Sequence, residues 1–391
     1  MKILFITPRL PYPLIKGDQA RAYHQIKCLS RQHAITLVSF IRNEKELEYL
    51  PELKLYCSRI ETVKLGRLTS LWSGLWHIFS STPLQTWLFT SALMRQTINA
   101  IIEKERFDLV HLQLIRMGEY LSGFKKIPCL LDFIDALSLN MSNRAKQENI
   151  LLKLPVYWEY LKTKQYERKL LDKVQAAIIV SERDKQAISG DDKITVVPIG
   201  VDLDRFSYQA PDHAAKDLVF TGNLKYFPNQ DAVIYFCKKA LPAILRASPQ
   251  TKFYIIGANP PAKIRKLANS RIIVKGSVAN MAQSFTKNMV AAICPLRAGS
   301  GVQFKILEAM AAGVPVVAFD QVARSLAVKD GQEILFAPNT SALIQQVLRL
   351  LNDYNLRLDV SRCARIFIEN NFTWELACAK LEGVYKRMLY K

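Results

Sequence analysis

The 391-residue sequence predicts an α/β fold built as two open domains, each around a parallel sheet. Three observations lead there. Short β-rich runs alternate with helical patterns almost from end to end, as stacked βαβ units require. The alternation pauses and restarts after about residue 210. The length also exceeds what one core comfortably serves, since domains commonly hold roughly 100–200 residues.

In the first half, strands are expected at residues 2–7, 35–40, 59–65, 107–112, 128–134, 175–180 and 194–198. The run Met1 to Pro8 lacks the length and cleavage site of a signal peptide and reads as a buried first strand. Residues 68–94 carry no formal charge. Pro83 and many Ser, Thr and Gln residues argue against a membrane span there. Thr82 and Pro83 are read as an N-cap and first helical residue dividing the stretch into two helices. Leu68, Trp72, Leu75, Trp76 and Phe79 share a face of the first helix. That stripe is read as core, with a monotopic dip into lipid headgroups as the alternative.

The domain boundary is expected near Pro198 to Phe206, where a strand ends in Pro and Gly and periodicity stops, giving domains 1–205 and 206–372. Second-half strands are expected at 217–221, 252–257, 271–275, 290–294, 314–318 and 333–337. Trp374, Leu376, Ala377, Leu381, Val384, Tyr385 and Met388 then form an apolar stripe in a basic terminal helix.

Composition narrows the function. Half the residues are apolar and 23% charged, an ordinary globular balance rather than a disordered one. Seven scattered cysteines with no CxxC pair signal neither a disulfide framework nor a zinc site, and fit a reducing, cytoplasmic setting. The net charge of +20 is spread through both halves. It favours anionic partners such as nucleotide-linked substrates, diphosphate-linked lipids or a membrane surface. No clustered basic tail or aromatic-basic motif points to nucleic acid.

The chemistry concentrates in one stretch. The strand-like Val290 to Arg297 leads into Gly299-Ser300-Gly301-Val302-Gln303-Phe304-Lys305 and a helix containing Glu308. Small residues at a helix N-terminus let backbone N–H groups approach an anion. Arg297 and Lys305 add cations beside that cradle, and Glu308, read as roughly two turns into the helix, offers a carboxylate. Phosphate at one end and hydroxyls at the other suggest a nucleotide diphosphate with its ribose. Mere turn chemistry is the plainer alternative.

Motifs spread over nearly the whole chain carry a resemblance. They are Ile6-Thr7-Pro8 with Pro11, Pro13, Gly17 and Arg21; Val180-Ser181-Glu182; Val197 to Asp202; Phe220-Thr221-Gly222-Asn223 with Pro228-Asn229 and Asp231-Ala232; Ile255-Ile256-Gly257; Lys275-Gly276; and Gly299 to Val317, with Leu307 to Val317 the strongest. In these the sequence resembles the family 4 glycosyltransferases of the GT-B fold. It is especially similar to bacterial sugar transferases of exopolysaccharide gene clusters, including those grouped with PEP-CTERM export systems.

The resemblance implies two Rossmann-like domains facing across a cleft, with a final helix, 373–391, crossing back to an acceptor-binding N-terminal domain. It implies a nucleotide-sugar donor on the C-terminal domain, a glycan or lipid-diphosphate-linked acceptor, retention of anomeric configuration, and neither cofactor nor metal. Glu308 corresponds to the glutamate on the donor ribose. A second family glutamate, eight positions earlier, is Ser300 here, so donor-sugar identity does not carry over. The family's Gly-Arg and Lys-Gly clamp is altered to Gly222-Asn223 and Pro228-Asn229. The diphosphate clamp is therefore assigned to Lys305 and Arg297, with Lys225 secondary and Gln303 matching a family glutamine.

In the N-terminal domain, Gly17 resembles the glycine that lets backbone approach the donor phosphate or acceptor, or is a simple helix turn. Asp135 stands where many relatives place a histidine near the reacting sugar, with buried helix capping as its alternative. His111 reads as a core or cleft-wall histidine. A GT-B nucleotide-sugar epimerase and a non-catalytic scaffold of a polysaccharide assembly complex remain the rival functions.

Overall fold

The computed structural model describes residues 1–66, 80–145, 150–278, 280–297, 303–320 and 326–390. They form two compact units, Met1–Ile199 with Trp374–Lys391 and Gly200–Thr373. The stripe of Leu68, Trp72, Leu75, Trp76 and Phe79 lies outside the described residues.

Unit 1 runs β1 (Lys2–Thr7), α1 (Gly17–Leu29), β2 (Ala34–Ile41), α2 (Leu50–Lys54), β3 (Arg59–Lys64), α3 (Leu84–Trp87), α4 (Ala92–Lys104), β4 (Leu109–Gln113), β5 (Cys129–Ile134), α5 (Leu137–Ala145), α6 (Ile150–Lys173), β6 (Ala176–Ile179), α7 (Glu182–Ile188) and β7 (Ile194–Val196). The sheet order is β3-β2-β1-β4-β5-β6-β7, and every pairing is parallel. β1, β4 and β5 are buried almost throughout, which is why they read as continuous apolar runs rather than alternating ones. Leu4, Ile6, Val38, Val110, Leu112, Leu131 and Phe133 line one core on the sheet.

Unit 2 runs β8 (Asp217–Thr221), α8 (Phe227–Lys239), α9 (Leu241–Ala247), β9 (Phe253–Ile256), α10 (Ala262–Arg265), β10 (Ile272–Lys275), β11 (Met289–Cys294), α11 (Phe304–Ala312), β12 (Val316–Phe319), β13 (Leu335–Ala337), α12 (Thr340–Asn352) and α13 (Tyr354–Asn371). Its sheet, β10-β9-β8-β11-β12-β13, is again parallel. The chain order reverses between β1 and β4 in the first sheet and between β8 and β11 in the second. Open α/β sheets bind ligands outside the carboxyl ends of strands at such reversals.

The last helix, α14 (Trp374–Leu389), packs with unit 1. Trp374 stacks on His24 of α1 at 4.5 Å between ring centroids, and the Tyr385 hydroxyl meets His111 Nδ1 at 2.6 Å. The stripe is buried at Trp374, Ala377, Leu381, Val384 and Tyr385, but Leu376 is exposed.

The helix expected to start at Pro83 starts one residue later. Pro83 takes an extended ψ of 142° and occupies the N-cap, while the Leu84 N–H donates to Glu159 Oε1 at 2.6 Å. That helix lasts one turn, and Ser91 caps α4 by accepting from the Met94 N–H.

Candidate active site

In unit 2 the site grows from the end of β8. Gly222 has φ +147°, and a Cβ there would lie 2.9 Å from Asn229 Nδ2 and 3.1 Å from Lys305 Nζ. A Cβ on Gly257, at the end of neighbouring β9, would come within 1.8 Å of the Gly222 carbonyl oxygen. Glycine at both positions thus allows the strand ends, Asn229 and Lys305 to close on one another.

Asn229, buried in the first turn of α8, holds the arrangement. Its Nδ2 donates to the Asn223 carbonyl at 2.9 Å, and its Oδ1 accepts from Lys305 Nζ at 2.5 Å. Lys305 also lies 4.5 Å from the centroid of the Phe220 ring. Burial lowers its pKa, with Glu308 opposing. Asn223 has its side chain engaged locally, with Oδ1 accepting from the Lys225 N–H at 3.0 Å, so it shapes the turn while its carbonyl anchors Asn229.

Helix α11 begins at Phe304, with Gln303 at the N-cap position, so Glu308 is its fifth residue and not two turns in. Lys305 and Glu308, three residues apart, therefore share a helix face. Glu308 is half-buried, with no hydrogen bond or ion pair among the described residues. Burial pushes its pKa up to about 7 against the opposing pull of Arg205 and then Lys305. A partly desolvated carboxyl lacking a protein donor is prepared to accept from a ligand's hydroxyls.

Arg297 is held differently. Its guanidinium grips Asp231 with Nε at 3.0 Å and Nη2 at 2.5 Å, and lies 4.3 Å from the Tyr235 ring centroid. Gly299, Ser300, Gly301 and Val302 lie outside the described residues, while Gln303 is half-buried.

In unit 1 the carboxyl end of β5 is irregular. Its register against β6 shifts between Asp132 and Ile134, and Ile134 has φ +62°. A β-branched residue in the left-handed region stores strain of the kind that re-aims a strand end. Asp135 follows directly, and its N–H donates to the Phe133 carbonyl at 2.9 Å.

The capping role that Asp135 could fill is taken by others. Asp184 Oδ1 accepts from the Ala136 N–H at 3.2 Å, and Glu167 Oε1 accepts from the Ser138 N–H at 3.1 Å, both at the start of α5. The half-buried Asp135 carboxyl is left with no hydrogen bond among the described residues. Burial first, then the nearby Asp184, raises its pKa to about 7, with Arg21 opposing.

Arg21 itself is structural. Fully buried, it reaches Asp132 Oδ2 at 2.6 Å and the carbonyls of Val197 and Pro198 at 3.0 and 3.2 Å. His111 is sealed in the core, stacked on Phe5 at 4.1 Å, and burial drives its pKa to about 3. Gly17 is the exposed first residue of α1.

The structure thus assembles Gly222, Asn223 and Lys305 in unit 2 through Asn229, with Glu308 on the helix face of Lys305, and sets Asp135 at a strand end of unit 1. Two contributors are absent from the sequence-based site: Asn229 and Arg205. Asn229 was visible only as half of the Pro228-Asn229 pair that stands in place of the family's Lys-Gly. Arg205 carried no signal, because it sits in an aperiodic connection.

Comparison with known proteins gives this geometry a context. Residues 215–353 match the family described as glycosyl transferases group 1. A 44.6 kDa protein from the cps region of Klebsiella pneumoniae, described as uncharacterized, is 20% identical over 95% of this chain and 96% of its own length. Sucrose-phosphate synthase from Thermosynechococcus elongatus superposes with a TM-score of 0.75 at 15% identity over 100% of both chains. Anabaena HepE in complex with UDP-glucose gives 0.68 at 14% identity over 99% of this chain and 100% of that one. A Staphylococcus aureus TarM variant in complex with fondaparinux, alpha-GlcNAc-glycerol and UDP gives 0.69 at 12% identity over 98% and 100%. Residues 215–353 are thus similar to a group 1 glycosyl transferase domain, and the fold of the chain is the two-sheet GT-B fold of these solved structures.

Proposed function

We propose that the chain is a retaining glycosyltransferase of the family 4 type. It moves a sugar from a nucleotide-diphosphate donor to a glycan or lipid-diphosphate-linked acceptor in cell-surface polysaccharide synthesis. The observation that carries this reading is the pairing of Lys305 with the unpartnered Glu308 on one face of α11, beside the glycine-opened end of β8. The group 1 match over the same residues and a relative in a cps region support it, as do solved complexes of HepE and TarM with UDP or UDP-glucose.

In this reading unit 2 takes the donor. Glu308 accepts hydrogen bonds from the ribose hydroxyls, and Lys305 meets the diphosphate. As the bond from the anomeric carbon to the diphosphate oxygen breaks, negative charge grows on the leaving group. A cation already held by Asn229 and the Phe220 ring stabilises that charge with little reorganisation. Arg297 contributes at longer range, its charge shared with Asp231. Gly222, Asn223 and Gln303 shape the pocket, while Gly299, Ser300, Gly301 and Val302 supply the backbone cradle.

Unit 1 takes the acceptor, with Gly17 at a backbone approach. The acceptor oxygen bonds to the anomeric carbon, and Asp135 is the residue proposed to receive its proton. Neither a cofactor nor a metal is assigned a role.

The setting proposed is cytoplasmic and peripheral to a membrane. No helix among the described residues is long and apolar enough to cross one. Leu154, Tyr157, Trp158 and Leu161 fall at helical spacing on α6 and are each 40% or more exposed, an apolar face suited to a lipid surface.

Thermal stabilisation by a panel of UDP-, GDP-, ADP- and dTDP-sugars, followed by transfer assays with the hit, tests the reading. Lys305→Ala should fold normally and lose about 100-fold or more in turnover. Unchanged turnover would remove Lys305 from the clamp. Silence from every nucleotide sugar would sink the donor assignment altogether.

A further inference from the structure

A second cationic site lies in unit 1, at the point where its strand order reverses. β1 lies between β2 and β4 in a parallel sheet, so the segments leaving these three strands emerge at one edge. Arg42 directly follows β2, Arg9 and Lys16 lie in the connection after β1, and Arg116 lies three residues beyond β4. Four cations are thus delivered to the carboxyl end of three adjacent strands, where open α/β sheets place their ligands.

Their counter-charge is small. Asp18 takes Arg9, whose Nη1 lies 3.0 Å from its Oδ2. Arg116 has a neutral partner, donating to Gln85 Oε1 at 2.8 Å, and its guanidinium lies 5.5 Å from the Phe89 ring centroid. Lys16 and Arg42 are exposed and have no ion-pair partner among the described residues.

The groups feel one another. Arg116 is pushed down to about 10 by burial, then by Arg9 and Arg42, with Asp18 opposing. Lys16, though exposed, is lowered by partial desolvation of its ammonium, then by Arg9, with Asp18 opposing, and also by Arg42 and Arg116. The contrast with Arg21 is informative, since that arginine is wholly buried and matched by its own carboxylate. At this edge Asp18 offsets one cation, and Lys16, Arg42 and Arg116 have no ion-pair partner of their own among the described residues. Two guanidinium forks within it suit the oxygens of a phosphate better than a lone carboxylate.

We propose that this crevice of unit 1 binds the diphosphate group of the acceptor, making the acceptor a diphosphate-linked one. The proposal rests on the reading that unit 1 receives the acceptor, and it narrows the acceptor from any glycan to one carrying diphosphate.

Inorganic pyrophosphate titrated calorimetrically into the full chain tests it. Two sites are expected. Lys305→Ala should weaken one, and the double variant Lys16→Ala with Arg42→Ala should weaken the other at least tenfold. If the double variant, placed in the Lys305→Ala background, leaves the remaining pyrophosphate binding unchanged, the proposal fails. It fails equally if Lys305→Ala alone abolishes all binding.

Two further arms separate the sources of diphosphate. A short-chain isoprenyl diphosphate should bind the Lys305→Ala protein and lose at least tenfold in the double variant. A nucleoside diphosphate should be lost with Lys305→Ala and retained by the double variant, and the reverse pattern would make the crevice a donor site and overturn the proposal. Should the chain transfer no sugar while these binding results hold, the transferase reading falls and the diphosphate site stands.

Discussion

At the scale of single residues, Asp135 is the most exacting test. Its folded-state pKa of about 7 lies above the 3.8 of an ordinary aspartate. The folded chain therefore holds a proton that the unfolded chain has released. Such a group contributes stability that is full below the unfolded value and lost as pH rises through the folded one. Asp135→Asn removes that loss. The variant should gain in melting temperature relative to the parent as pH rises from about 5 to about 8, with Glu167 and Glu308, also raised to about 7, present in both proteins. Turnover should fall with donor affinity largely retained. A variant that loses donor binding alone would contradict the acceptor-side role. Why Asp135 is left free for the proposed role was only partly legible in the sequence. The strand and the following helix could be read, but not that Asp184 and Glu167, from two other helices, would occupy the cap and leave Asp135 unpartnered.

At the scale of elements, the strands were legible, as were the starts of α1 at Gly17 and of the terminal helix at Trp374, but two other helix starts were not. Every strand expected in either half is present within a few residues, because parallel strands buried on both faces announce themselves as apolar β-branched runs. Helix starts depend on which residue turns extended: Pro83 does so beside the Leu84 N–H bond to Glu159, and Gln303 does so before α11. The terminal helix shows what tertiary contact adds. Tyr385 is fully buried on α14, and its hydroxyl is joined to His111 Nδ1 at 2.6 Å, while His111 Nε2 has no hydrogen-bond partner among the described residues. Tyr385→Phe leaves the ring's second nitrogen unsatisfied as well. An orphaned buried polar group costs about 1–3 kcal/mol. Urea denaturation should show a loss of that size with an unchanged m-value. A neutral result would mean that His111 finds another partner and that α14 is held by its apolar stripe alone.

At the scale of the whole molecule, two units with separate cores and separate ligand assignments make a prediction neither could make alone. A ligand that binds only the folded form of one unit stabilises that unit by mass action, about 2.7 kcal/mol at a hundred times its Kd. For a body of 150–250 residues, each kcal/mol moves the midpoint by about 2–4 °C, so a saturating nucleotide sugar should raise the unit 2 transition by roughly 5–11 °C. Hydrogen exchange should show the protection concentrated around β8, α8 and α11, where Gly222, Asn229 and Lys305 meet and α11 carries Glu308. Lys305→Ala should reduce that protection sharply while leaving the unit 1 strands as they were. Pyrophosphate in the Lys305→Ala protein should instead protect the segments after β1, β2 and β4, near Arg9, Lys16, Arg42 and Arg116. Protection that appeared in unit 1 alone with the nucleotide sugar would reverse the assignment of donor and acceptor, because the same lysine cannot govern binding at a sheet edge to which it does not belong.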